Sequence, residues 1–366
     1  MDRVKKTHLL VSDVQNIVLF IIVFLSCLCS NLNSNNRVYI LVLIIFLLAF
    51  YLLFNSFKVK ISNEILTLII LLIVPAGLNI IYMHYYLLNI LNIVLITNLI
   101  LRGKNKLNLK IIYYSIFAYF VISIFYILIF NDYYYSNSKY VLGFEIKKRI
   151  FHNFNISTYT FILGYLFFLI PINKSKIFKL LLRIFILGII IYFGKISVLF
   201  GVLISFFVVK SRFKTNNLIS ISIFSLCYLA PFVVKLFYSI LEKNNYLGIL
   251  SGRNILWADY INYIFSQDIS SFLFGNGFYA DNEISYLLHP HNQYISLLYI
   301  GGLFLFLYYY KFLYSTYKKI GSSKIKEHLG LLLFLILVQV TDDYFILTLY
   351  PLPLILILSL YNHSNE

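Results

Sequence analysis

The run Ile111–Phe130, IIYYSIFAYFVISIFYILIF, decides how the rest of the chain is read. It is twenty residues long, carries no charge, and follows the basic group Arg102, Lys104, Lys106 and Lys110. About 20 apolar residues in a helix rise about 30 Å, the thickness of a bilayer's hydrocarbon core. In lipid every backbone N–H and C=O must pair internally, so such a run reads as a spanning helix. Working outward, comparable runs recur at Asn16–Cys29, Val38–Phe54, Ile65–Asn79, Met83–Leu101, Ile156–Ile172 and Phe178–Gly194. They continue at Ile196–Val209, Leu218–Ile240, Asn292–Tyr314, Leu329–Val340 and Phe345–Leu360. The fold expected is an all-α polytopic membrane protein of about twelve spanning helices, a single integral domain over residues 1–366. Pro75, Gly77 and Asn79 break the long stretch Ile65–Leu101, and Phe178–Val209 reads as two helices joined by a tight turn at Lys195.

Composition supports this reading. Of 366 residues, 61% are hydrophobic and 12% charged, with mean hydropathy +0.84. A soluble domain carries about 25% charged residues, so this chain has too few charges to clothe a water-facing surface. Disorder is excluded for the same reason, and three Cys exclude a disulfide scaffold. Cys27, Cys29 and Cys227 lie in apolar runs and read as small packed hydrophobes, without the spacing of a metal site. The start, Met1–Ser34, is laid out like a signal peptide, but similar runs follow it throughout, so it reads as an uncleaved first helix.

The net charge is +16, from 30 Lys+Arg against 14 Asp+Glu. In this setting the excess follows the positive-inside rule and does not indicate nucleic acid. Lys58 and Lys60, Lys174, Lys176 and Lys179, Lys210, Arg212 and Lys214, and Lys318, Lys319, Lys324 and Lys326 all fall on one side, together with Arg3, Lys5 and Lys6. That side is expected to be cytoplasmic, with both termini. Two external loops stand out by length: residues 131–155, and residues 241–291 between helices nine and ten. The second holds the one Trp of the chain, Trp257, and is expected to form short helices capping the bundle.

The groups able to carry chemistry gather on that outer side. Arg253 follows Gly252, where its planar fork can reach a phosphate; the alternative is a loop pair with Glu242 or Asp259. Lys195 lies at an apolar turn, as an anion ligand or as a side chain snorkelling to headgroups. Arg149 ends the basic run Lys147-Lys148-Arg149, with headgroup contact as its plainer role. His289-Pro290-His291-Asn292 opens a helix, where the dipole favours a neutral imidazole able to act as a base. Two His with Asp281 or Glu283 are also a conceivable zinc pair, but no third His or Cys supports it, and no metal or cofactor is expected. Fixed cations with one neutral imidazole suit an anionic diphosphate leaving group and a hydroxyl nucleophile.

At the level of motifs the chain resembles the O-antigen ligase and polymerase superfamily. The segments that carry the resemblance are Ser251-Gly252-Arg253-x-x-x-Trp257, Leu273-Phe274-Gly275-Asn276-Gly277, and His291-Asn292-x-Tyr294-Ile295 with Gly302 downstream. Two further segments are similar, Gly194-Lys195-Ile196-Ser197 with Lys in place of Arg, and Arg149–Asn155 with Phe154 where Pro is usual. The resemblance implies a GT-C-like membrane glycosyltransferase at the outer face of the bacterial inner membrane. Both donor and acceptor are then undecaprenyl-diphosphate-linked oligosaccharides, with a chain-length regulator as a further partner. Arg253 and Lys195, with Arg149, would hold the diphosphate. His291 would activate the acceptor hydroxyl, supported by His289, Asn292 and Trp257. The favoured activity is polymerisation of polysaccharide repeat units with inversion. The alternatives are a ligase using lipid A core as acceptor, and a flippase of lipid-linked glycans. A flippase would line a central cavity with its cations, whereas here they lie to one external face.

Overall fold

The computed structural model describes residues 14, 16–28, 34–54, 66–67, 70, 109–129, 133–141, 144–151, 156–170, 175–210, 222, 225–229, 232–233, 236–237, 253–276, 292–321, 326–340 and 351–363. Nearly all of Ile65–Asn79, all of Met83–Leu101, much of Leu218–Ile240, and His152, His289 and His291 lie outside the described residues.

Among the described residues, the apolar runs fold as helices. These are α1 Asn16–Leu28, α2 Ser34–Phe54, α3 Leu109–Ile129, α4 Ile156–Leu169, α5 Lys176–Tyr192 and α6 Ile196–Lys210. Beyond them come α7 Arg253–Ser266, α8 Ile269–Phe274, α9 Gln293–Gly321, α10 Lys326–Val338 and α11 Pro351–His363. Between α3 and α4, where a loop is expected, β1 Tyr133–Val141 and β2 Phe144–Phe151 pair antiparallel as a hairpin. By length and composition, Gln293–Ile320 is long and apolar enough to cross a membrane. The architecture is compatible with a helical membrane protein.

Helix α10 runs through the middle, against α4, α6, α9 and α11. Its Phe334 ring fills a slot at Gly164 of α4, where any Cβ would overlap the ring, and it also meets Gly201 of α6. Tyr165 and Phe168 of α4 enclose the same ring at 5.7 and 5.9 Å between centroids. Small residues opposite large rings let apolar helices approach closely, the packing device that works where water supplies no drive.

Helices α5 and α6 are joined by Phe193-Gly194-Lys195, the tight turn expected there. Gly194 takes φ 66°, and its N–H donates to Ile191 O at 2.9 Å. Arg183, not singled out by sequence, fastens this hairpin to α4. Its Nε donates to Phe167 O at 3.4 Å, and its guanidinium lies 5.3 Å from the Phe167 ring centroid and 5.5 Å from that of Phe206. The Phe167 carbonyl belongs to the last turn of α4, where carbonyls lack helical partners.

The largest departure from expectation is in α9. Asn292–Tyr314 reads in the sequence as one straight span, but Gly302 has φ 64° and ψ −168° and divides α9 into arms 293–301 and 303–321. Gln293 N–H donates to Gln339 O at 2.9 Å, while Tyr309 OH donates to Oε1 of that same Gln339 at 2.9 Å. The Tyr228 ring lies 4.9 Å from Tyr294, 4.2 Å from Phe306 and 4.9 Å from Tyr310. In a straight helix residues 294 and 310 would stand about 24 Å apart, beyond the reach of one shared ring. The chain therefore folds back at Gly302, and the start of the first arm sits beside Phe306–Tyr310 of the second. The second arm, residues 303 to 321, is about 28 Å long by itself.

Candidate functional site

The first arm of α9 meets α7, the Leu273–Asn276 segment and the end of α10. At the corner, Gly275 (φ 83°) and Gly302 meet backbone to backbone. A Cβ on Gly275 would overlap Ile300 O, and one on Gly302 would overlap the Leu273 carbonyl. Only glycine combines this backbone region with such an approach. Asn276 then caps the first arm: its N–H and Nδ2 donate to Tyr299 O at 2.9 and 3.3 Å. Gln267 holds the Asn276 amide in place through two reciprocal bonds, at 2.7 and 2.8 Å. The Gly-Asn-Gly segment thus works, through Gly275 and Asn276, as a clasp on the corner, and their N–H groups are spent within the protein.

Asn292 opens the first arm. Its Oδ1 accepts from Tyr294 N and Ile295 N at 3.0 and 3.1 Å, and its Nδ2 donates to Val340 O at 2.8 Å. Tyr294 OH donates to Ile336 O at 3.0 Å. With the Gln293–Gln339 bond, the start of the arm is pinned to the end of α10 at several points. Asn292 is 0% exposed, so its supporting role is that of a cap that fixes where the arm begins. Replacing an Asn cap by Ala costs about 1 kcal/mol, and the stranded Val340 carbonyl adds about 1–3 kcal/mol. We expect Asn292→Ala to lower the thermal midpoint by several degrees, which thermal unfolding in detergent checks.

Helix α7 packs on the same arm through Tyr260 and Tyr263, 5.2 and 6.0 Å from the Tyr299 ring. Trp257 is 3% exposed and belongs to the packed core. Arg253 is the first residue of α7 and half-buried, and no acidic residue occupies that first turn. A cation there opposes the helix dipole, at about 0.3–1 kcal/mol, yet adds to it in attracting an anion. Burial pushes the Asp259 carboxyl on the same helix up from its ordinary value.

Lys195 lies at the α5–α6 turn, half-buried with its Nζ 5.7 Å from the Phe161 ring centroid. Arg149 lies on β2, in register with Tyr135 of β1. Sequence reading passed over Gln339 and Tyr309, which tie the corner together; the signal available was a lone Gln at the end of an otherwise apolar run.

Asp268 caps α8, accepting from Ser271 N at 3.4 Å and from the Ser270 hydroxyl. These bonds hold its carboxyl below the ordinary value. A depressed folded pKa gives stability that is complete above the unfolded value of about 3.9 and is lost as pH falls through the lower folded value. Amide exchange in Ile269–Phe274 is therefore expected to accelerate on acidification through that window, and in Asp268→Asn to vary little across it.

Comparison with known proteins finds no family model, no curated protein and no solved structure that matches the chain.

Proposed function

We propose that the chain is a polytopic membrane glycosyltransferase of GT-C-like type with about twelve spanning helices. It polymerises polysaccharide repeat units at the outer face of the bacterial inner membrane, with both termini cytoplasmic. The single observation that supports this most is convergence. The helix that Arg253 opens, the Gly275-Asn276 pair and Asn292, spread over some forty residues of sequence, all belong to or pack on the first arm of α9. Such an arrangement ties the helix that Arg253 opens to the arm that Asn292 caps.

In the reaction, a hydroxyl oxygen at the non-reducing end of one lipid-linked unit attacks the anomeric carbon of another. The bond from that carbon to the diphosphate oxygen breaks, and configuration inverts. His291 takes the hydroxyl proton, and the electron pair leaves on undecaprenyl diphosphate. Arg253, at the positive end of α7, meets that developing charge, with Lys195 and Arg149 as further ligands. Fixed cations supply the charge that a divalent ion would otherwise bring.

The test is elongation of a purified lipid-linked repeat unit by the purified protein, with chelator present. A ladder of longer lipid-linked products is the expected result. Transfer only after a lipid A core acceptor is added makes the protein a ligase, and a strict divalent-metal requirement refutes the cation mechanism.

A further inference from the structure

A second cluster of cations lies at the opposite end of the α5–α6 hairpin from Lys195. Lys176, Lys179 and Arg183 are spaced i, i+3, i+7 and so share one face of α5. Because the chain reverses at Phe193–Lys195, the end of α6 returns to the start of α5. Lys210 closes α6, with its Nζ 5.6 Å from the Phe206 ring that Arg183 also covers. Helix α10 begins here too: Gly330 packs beside Val209, Lys326 is exposed, and Glu327 is close enough to act on Arg183 electrostatically. Five basic groups therefore surround one acidic group among the described residues of this end.

What adjoins the cluster is apolar and uncovered. Leu180 and Ile184 of α5, and Ile204 and Phe207 of α6, are exposed large side chains. A ligand that satisfied the cations alone, such as an acidic peptide or a nucleic acid, would leave these faces in water. A ligand with an anionic head and hydrocarbon tails satisfies both.

We propose that this end of the α5–α6 hairpin is a binding site for an anionic phospholipid, its phosphate held by Lys176, Lys179 and Lys210 and its acyl chains laid along the exposed faces of α5 and α6. The inference rests on the membrane placement proposed above, but not on glycosyl transfer. Arg183, half-buried and already bonded to Phe167 O, sets the spacing of the helices beneath the site.

The experiment is native mass spectrometry of the purified full chain in detergent, titrated with phosphatidylglycerol or phosphatidylcholine. A basic residue near an anionic lipid surface is worth about a five-fold gain in binding, so phosphatidylglycerol should be preferred by about five-fold or more. The variant K176Q/K179Q/K210Q should show no preference, and K210Q alone an intermediate one. K318Q/K319Q, which removes two other cations from the end of α9, should keep the preference. Equal retention of both lipids by the parent chain overturns the proposal. So does an unchanged preference in the triple variant, or an equal loss in K318Q/K319Q, which would make the effect one of total charge. Flotation of the chain with phosphatidylcholine vesicles is the separate check. A chain that fails to float removes the membrane placement itself, whereas one that floats but shows no headgroup preference removes only the lipid site.

Discussion

Gly302→Val is expected to cost about 4 kcal/mol or more, a large share of a stability of about 5–15 kcal/mol. Two penalties add. The backbone at φ 64°, ψ −168° belongs to a region essentially reserved for glycine, and holding another residue there costs about 1–3 kcal/mol. A side chain would also overlap the Leu273 carbonyl, which cannot withdraw without carrying Gly275 away from Ile300. The clasp and the corner would open together, separating α8 from α9. Gly188→Ala is the matched control, since that glycine lies inside α5 with nothing within 4 Å of an added Cβ. It should be neutral, or more stable by up to about 1 kcal/mol. Thermal unfolding in detergent separates the two. A Gly302→Val protein that melts within a degree of the parent would mean that α9 does not fold back.

Much of the fold is legible in the sequence because long apolar runs and their punctuation are local properties. Ile156 and Ile196 begin helices where the sequence places them, and Gly194-Lys195 turns the chain as its neighbours require. The hairpin was legible too. Phe144-Glu145-Ile146-Lys147 alternates apolar and charged residues in the manner of a strand. Length and polarity alone led to the reading of a loop. The corner at Gly302 was not legible in the same way. Hydropathy reports whether a segment is apolar, never which direction it runs, and 293–320 is apolar on both sides of the glycine. What makes the reversal possible is the backbone of Leu273–Gly275, nearly thirty residues earlier, together with Gln339, nearly forty residues later.

The candidate site divides along the same line. Residue types able to meet a diphosphate could be picked out by chemistry, because Arg beside Gly in a long loop is a local pattern. Which of them share a neighbourhood could not. The structure sets Arg253 on a helix packed against the α9 corner and sets Lys195 over Phe161 on α4. Asn276 and Asn292, which look in sequence like polar groups offered to a ligand, are engaged as caps. Their partners are carbonyls and N–H groups of distant or adjacent backbone, which no side-chain pattern announces.

Arg253→Ala is expected to slow repeat-unit elongation by about 10²–10³-fold, the usual effect of losing one group aimed at developing charge. His291→Ala should cost about 10²–10⁴-fold, the range for a general base. Because both act on the same transition state, the double variant should fall well short of the product of the two factors. Arg253→Lys keeps the charge but loses the two-pronged geometry, so it should recover part of the rate and no more. Folding should survive each change at position 253. Arg253 is half-buried at the first turn of α7, and removing it relieves about 0.3–1 kcal/mol of opposition to the helix dipole. The Arg253→Ala protein is expected to melt close to the parent while turning over far more slowly, and this pairing separates a ligand for the leaving group from a structural arginine. The measurement is single-turnover elongation of a lipid-linked repeat unit beside a thermal melt of the same preparation. Loss of rate accompanied by an equal loss of melting temperature would assign Arg253 to the fold. A rate unaffected in the double variant would take both residues out of the chemistry, and the α9 corner would then be a packing device alone.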